Sequence, residues 1–437
     1  MSRVLFALTS LVALAGPASG QPAPVQIEPV ERHAPESDVA VAPATRLEAL
    51  VAEALTRSPA LAAARSELAA RREMESPAGA LPDPMLEAML QNAGLEPTVG
   101  KEEMSMVGVE ARQALPYPGK RAAARAVAAA ETVRSAAALA ALERQVAAEV
   151  RTLFAGVYAL DREREALAAA AELVELLEEI AHSRYSAGKG DQEGVLKIQV
   201  EALRIAEKLG DLANVRRATV AELNRWLDRP GNAPMGIVDA LPDAPPVGAD
   251  AELLAAAGSA EVARAAAAQQ VADRRVALAR LELKPNFSTG AGIASRGDLD
   301  PVVLLRFGVE LPFWRRQKQL PMLRAAEQEL AAARLELADA EAMARAKAAQ
   351  LLSAWTNADE QAERYRQGIL PQTSAALDAA RASYLTGRGD FSTVIEDFNL
   401  WLEAHVALAR READRFSARA EFDRLAGIGS TPAGTKE

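Results

Sequence analysis

The chain has 437 residues, no cysteine and a formal net charge of −10 at pH 7, from 60 acidic and 50 basic residues. The negative balance excludes nucleic acid as a natural partner. The lack of cysteine excludes disulfide staples and leads to the expectation that no thioether lipid anchor is attached. Half of the residues are apolar but only 4% are aromatic, a balance suited to close helix-on-helix packing through alanine rather than to a bulky core.

Residues 1–20 read as a secretory signal peptide, with Arg3, an apolar stretch from Val4 to Ala15, and Ala18 and Gly20 as small residues at a cleavage site. Residues 21–43 are Pro-rich, lack a period and are expected to be a flexible extension. No later stretch approaches 18 apolar residues without charge, so no transmembrane helix is expected. A first repeat is expected over 44–230. Thr45 and Glu48 have capping-box spacing, and Ser58-Pro59 is read as the cap and first turn of a second helix. After Leu81-Pro82-Asp83-Pro84 come two runs of period two, near 85–92 and 104–114. Leu86, Ala88 and Leu90 share one face of the first, and Val107, Val109 and Ala111 share one face of the second.

A helical run follows from Gly119 to Tyr185, about 100 Å long at 1.5 Å per residue. Its stripe of Leu139, Leu142, Val146, Val150, Leu153, Val157 and Leu160 is a coiled-coil seam. The run reverses at a tip over 187–191 and returns to Asp228. Residues 231–249 read as a Pro/Gly-rich linker.

A second repeat is expected over 250–427. It has a helix, strands near 286–294 and 302–311 with a loop at Gly297–Pro301, and a long helical run from about Leu320 to Tyr384. Its tip lies over 386–390, and a flexible tail covers 428–437. The tips Tyr185-Ser186-Ala187-Gly188-Lys189-Gly190-Asp191 and Tyr384-Leu385-Thr386-Gly387-Arg388-Gly389-Asp390 match at an offset of 199 residues. The proline joints Leu115-Pro116-Tyr117 and Leu311-Pro312-Phe313 match at 196. Agreement at separated landmarks marks a tandem duplication.

Four amphipathic strands cannot close a membrane barrel, and an open edge in lipid leaves backbone groups unpaired. Either the strands form a small soluble sheet, or chains pool them. Secretion, strand length and uncharged alternate faces favour pooling, with three chains supplying twelve strands. The wet faces carrying Glu87, Glu110, Arg112, Arg306 and Glu310 would then line the lumen. No catalytic set, cofactor motif or phosphate loop is found. His33, His182 and His405 have no metal-ligand spacing, so no enzyme activity, cofactor or metal site is expected.

The joints Leu81-Pro82-Asp83-Pro84, Leu115-Pro116-Tyr117-Pro118-Gly119-Lys120-Arg121 and Leu311-Pro312-Phe313-Trp314, the Tyr-x-x-Gly tips and the ending Ala221-Glu222-Leu223-Asn224-Arg225 resemble the TolC family of outer-membrane efflux channels. The first joint resembles the branch found with heavy-metal exporters. The resemblance implies a homotrimer in the outer membrane of a Gram-negative bacterium, with a twelve-stranded β-barrel continued by a periplasmic α-helical barrel. It implies a passive duct for heavy-metal cations or drugs. Its partners would be outer-membrane lipid, a periplasmic membrane-fusion adaptor, and an inner-membrane pump of the resistance-nodulation-division type. It places adaptor contact at Gly188, Lys189, Gly190, Asp191, Gly387, Arg388, Gly389 and Asp390. It places an entrance constriction at Glu396 and Asp397, with Thr393 standing where a further acid would align. The alternative is a soluble periplasmic coiled-coil adaptor or scaffold, which would need no detergent.

Overall fold

The computed structural model describes residues 47–190, 192–242 and 251–428, all within the second of the chain's two units, Ala42–Glu437. The expected signal peptide, the extension 21–43, the Thr45 cap, Asp191, the linker beyond residue 242 and the tail from 429 onward lie outside the described residues.

Each repeat sets short helices before two strands and a long helical hairpin after them. The first has α1 (Leu47–Arg57), α2 (Pro59–Glu73), α3 (Glu75–Ala78), β1 (Met85–Gln91), β2 (Met106–Leu115), α4 (Lys120–Ser186) and α5 (Gln192–Trp226). The second has α6 (Ala251–Gly258), α7 (Ala260–Leu281), β3 (Asn286–Arg296), β4 (Leu299–Glu310), α8 (Gln319–Arg364), α9 (Leu370–Leu385) and α10 (Phe391–Ala426). The duplication read from the sequence is therefore one of architecture.

Helix α4 runs 67 residues without a break. Its expected seam is its buried stripe: Val146, Val150 and Val157 are fully buried, with Leu139, Leu142, Leu153 and Leu160 packed alongside. Apolar clusters follow one another along the hairpins. Leu61, Phe154, Leu223 and Leu227 belong to a middle cluster, and Leu177, Ile198, Val394 and Phe398 to one nearer the tips. Small satellites join α7 to α8 and α6 to α8 and α10. Alanine supplies many of these contacts, so the helices approach closely.

Three expectations need correction. Ser58 occupies the cap position of α2, but its hydroxyl makes no capping bond. Pro59 has already removed one donor, and the Ser58 N–H continues the ladder of α1 by donating to Ala54 O at 3.0 Å. By contrast, Ser259 does cap α7, its hydroxyl accepting from Val262 N.

The loop expected over Gly297–Pro301 shrinks to a tight turn, with Gly297 at φ +71° and Pro301 inside β4. Proline is tolerated there because it falls at the register shift opposite Ala294–Arg296, where the ladder is already interrupted.

The second long helix is not continuous. A π-turn, Tyr365–Ile369, separates α8 from α9. Pro371 follows two residues later. It brings no N–H and its ring would collide with the carbonyl four residues back, so the turn widens until Leu370 N bonds Tyr365 O instead.

The described part of the linker packs on the helices. Val238 is buried in the middle cluster, with Met235 and Leu241 packed against it. Arg216 donates to the carbonyls of Met235 and Gly236, and Asp161 accepts from Val238 N at 3.0 Å.

Candidate functional site: the sheet faces and the helix tips

The four strands form one antiparallel sheet in the order β1-β2-β3-β4, so the repeats meet where β2 pairs with β3. Period-two alternation then gives the sheet two chemically opposed faces. On one face the rows read Leu86-Ala111-Ala291-Leu305 and Ala88-Val109-Ile293-Val303. Phe307 and Val309 extend it beside Thr289 and Phe287. This face carries no charged residue. It is open: Phe307 is 82% exposed, and no second layer of the described residues covers Leu86, Leu90, Leu305 or Val303.

The opposite face holds all five residues expected to be wet, and the register explains their pairing. Glu87 stands opposite Glu110, while Arg112 and Arg306 lie in one row with Gly290 between them. Arg112 Nη2 is 3.1 Å from Glu87 Oε2, and Arg306 Nε is 3.0 Å from Glu110 Oε1. Glu110 is only 3% exposed, because it lies flat over β3 to reach β4. Gly290 makes that path possible: a Cβ there would stand 2.6 Å from Glu110 Oε1. Glu310 accepts from Asn286 Nδ2, whose amide oxygen accepts in turn from buried Lys120. Lys120 also pairs with Glu282 at 3.0 Å. The polar face is thus cross-linked, with few charges left unpaired.

The two tips share one construction. Gly188 and Gly387 take φ +66° and +75°, the left-handed conformation that lets a helix end and the chain reverse. Lys189 N donates to Arg184 O and Arg388 N to Ser383 O, closing equivalent turns at 2.9 and 3.0 Å. Gly190 and Gly389 pass so close to the preceding helix that a Cβ would meet it at 3.1 and 3.0 Å. Asp390 caps α10 by accepting from Ser392 N; its counterpart Asp191 lies outside the described residues. The Lys189 and Arg388 side chains are exposed.

The tips also touch each other. Arg184 donates to Tyr384 O, sits over the Tyr384 ring at 4.6 Å, and donates to Lys189 O. Sequence reasoning missed Arg184. The available signal was a break in the repeat, since the position 199 residues on is Ser383. It also missed Asp161 and Arg216, a pair at 2.7 Å, although the two stand nearly equidistant from the first tip, where an antiparallel hairpin must bring them together. Glu396 lies opposite the buried stripe Phe391, Val394, Phe398 and Leu402 of α10, and Asp397 flanks that stripe.

Among the described residues no group of three His, Asp or Glu side chains could hold a metal, and no helix is long and apolar enough to cross a membrane. No family model matches the chain, and no curated protein matches it in sequence. Solved structures do match. The outer membrane protein VceC from Vibrio cholerae is 16% identical with a TM-score of 0.75, over 87% of this chain and 96% of that one. The CmeC outer membrane channel of Campylobacter jejuni is 14% identical with a TM-score of 0.75, over 89% and 87%. CusC, solved in connection with folding and transmembrane channel formation, is 13% identical with a TM-score of 0.73, over 89% and 94%. The fold of this chain is that of the TolC-type outer-membrane channels.

Proposed function

We propose that this chain is one of three identical subunits of an outer-membrane export duct. The observation that carries the reading is the sheet. It has one open face without charge, one cross-linked polar face, and free edges at β1 and β4. In lipid those edges must be paired, and joining β4 of one copy to β1 of the next closes a twelve-stranded barrel at the third copy. The uncharged face then meets hydrocarbon, and Glu87, Glu110, Arg112, Arg306 and Glu310 face the lumen. Helix α5 supports assembly independently: Leu196, Val200 and Leu203, at helical spacing, are exposed in the single chain and offer a seam to a neighbouring copy.

The helices continue the duct into the periplasm and end at the glycine tips. There Lys189 and Arg388 meet a periplasmic adaptor through an acidic surface, and the adaptor joins an inner-membrane pump of the resistance-nodulation-division type. The duct itself is passive and not an enzyme; the pump chooses the cargo, a heavy-metal cation or a drug. Glu396 and Asp397, repeated three times around the axis, narrow the entrance. The soluble-scaffold alternative fits poorly, because it would leave the uncharged face in water.

The test is purification from membranes. A heat-labile trimer of three times the chain mass that precipitates without detergent is expected, together with loss of export when Lys189→Glu and Arg388→Glu are combined. A water-soluble monomer or dimer from the periplasm overturns the barrel.

A further inference from the structure

The turn between β4 and α8 is longer than its counterpart in the first repeat. Lys120, the first residue of α4, comes five positions after Leu115; Gln319, the first of α8, comes eight after Leu311. The proline joints match at an offset of 196 residues, while the helix starts Lys120 and Gln319 and the tips match at 199, so the three additional residues lie wholly in this joint. It reads Pro312-Phe313-Trp314-Arg315-Arg316-Gln317-Lys318.

The two joints treat similar chemistry in opposite ways. In the first, Tyr117 stacks on Phe287 with ring centres 6.5 Å apart, Lys120 is buried on Glu282 and Asn286, and Arg121 donates to Gly79 O. Its aromatic ring and its cations are used up inside the chain. In the second, Phe313 is 81% and Trp314 71% exposed. Arg315, Arg316 and Lys318 are exposed too, and none of the three has an acidic partner among the described residues. The segment is nevertheless a formed turn: Gln317 N and Lys318 N both donate to Trp314 O at 2.9 Å, and Leu320 N donates to Arg315 O at 2.8 Å.

We propose that this joint is a seat for the headgroups of anionic phospholipids, in the leaflet nearest the helices. The proposal rests on the membrane reading above. Continuity of the surface supports it. Val303, Leu305, Phe307, Val309 and Leu311 are exposed at alternate positions, and Phe313, exposed too, follows where its N–H donates to Leu311 O at 2.9 Å and turns the chain. Trp314 comes next, then the three cations. Hydrocarbon, interface and phosphate follow one another in that order across a leaflet, and apolar side chains, Trp, and Lys or Arg partition to those depths respectively. The indole N–H can donate to an ester or phosphate oxygen, and a guanidinium can bind a phosphate through two N–H groups. Uncharged neighbours would satisfy Trp314 but leave three cations without counter-charge. The adaptor is not the natural occupant, because α8 and its continuation to the tip place the adaptor end about 100 Å away at 1.5 Å per residue.

The experiment uses the full chain with Trp226, Trp355 and Trp401 changed to Phe, leaving Trp314 as the single fluorophore. It is reconstituted into vesicles of phosphatidylcholine and phosphatidylglycerol, with bromine high on the acyl chains of one lipid or the other. A second protein, carrying Phe307→Trp and Trp314→Phe on that background, reports insertion of the sheet. Stronger quenching of Trp314 by brominated phosphatidylglycerol than by brominated phosphatidylcholine is expected, by fivefold or more. Arg315→Gln, Arg316→Gln and Lys318→Gln should each lower that preference roughly fivefold while Trp314 stays quenched. Equal quenching by both lipids overturns the headgroup preference. A quenched reporter at position 307 beside an unquenched Trp314 overturns the seat, because a second copy of the chain then covers it. No quenching at either position overturns the membrane reading itself.

Discussion

At Tyr158 one hydroxyl closes a relay across three elements. It donates to Glu412 Oε2 of α10 at 2.5 Å, while Glu412 Oε1 accepts from Arg366 of the π-turn at 2.6 Å. Burial, and then the hydrogen bond to Glu412, push the phenol well above its ordinary value. A group raised in the folded state contributes stability fully below its unfolded value, near 10, and loses it as pH climbs toward the folded value. Tyr158→Phe should therefore cost about 1 kcal/mol at neutral pH and flatten the loss of stability above pH ~10; denaturant titrations of both proteins across that range check this. Glycine makes the complementary case. At Gly188 an added Cβ would meet nothing within 4 Å, so only the left-handed φ of +66° resists substitution. Gly188→Ala should cost about 1–2 kcal/mol, confined to the tip and read as faster hydrogen exchange at the Lys189 amide.

At the scale of elements, the strap over residues 231–242 depends on a buried polar partner. Asp161 is only 2% exposed and holds Arg216 through two bonds, at 2.7 and 3.2 Å, besides the Val238 amide. Asp161→Ala would leave a mostly buried guanidinium and a buried N–H without their acceptor. A loss of about 3 kcal/mol is expected, with the strap's amides, Val238 above all, exchanging as if unfolded. Asp161→Asn should lose less, because the amide oxygen still accepts. Composition marked residues 231–249 as a linker, since Pro and Gly carry no sign of what a neighbouring helix offers them. The interruption after α8 follows similarly from Pro371, whose missing N–H the widened turn absorbs without ending the helical path.

For the whole molecule, the deciding quantity is what the uncharged sheet face meets. Leu305 is 71% exposed near the middle of that face. If the face lies in hydrocarbon, Leu305→Lys should destabilise the assembled barrel by roughly 2–4 kcal/mol, seen as a lower temperature for loss of the detergent-resistant trimer. In water the same change would be nearly neutral. Lysine at Val302, on the polar face, serves as the control and should be tolerated better. The polar face is itself nearly neutralised by its pairs Glu87–Arg112 and Glu110–Arg306.

Duplication, four strands, two long hairpins and their glycine tips were all legible in the sequence, because periods of 2 and 3.6 and the conformations open to Gly and Pro are local properties of the chain. That the sheet's charged residues share one face was legible for the same reason, since alternation assigns a face before any partner is known. Partners were another matter. That Glu110 meets Arg306 depends on β2 lying beside β3, on register, and on a glycine between them. That Arg184 reaches Tyr384 depends on two hairpins of different repeats ending at the same level. That residues 235–238 are clamped depends on Asp161 and Arg216 sharing one layer of an antiparallel pair. Such contacts join positions 19 to 200 residues apart, and packing geometry, not local preference, determines them.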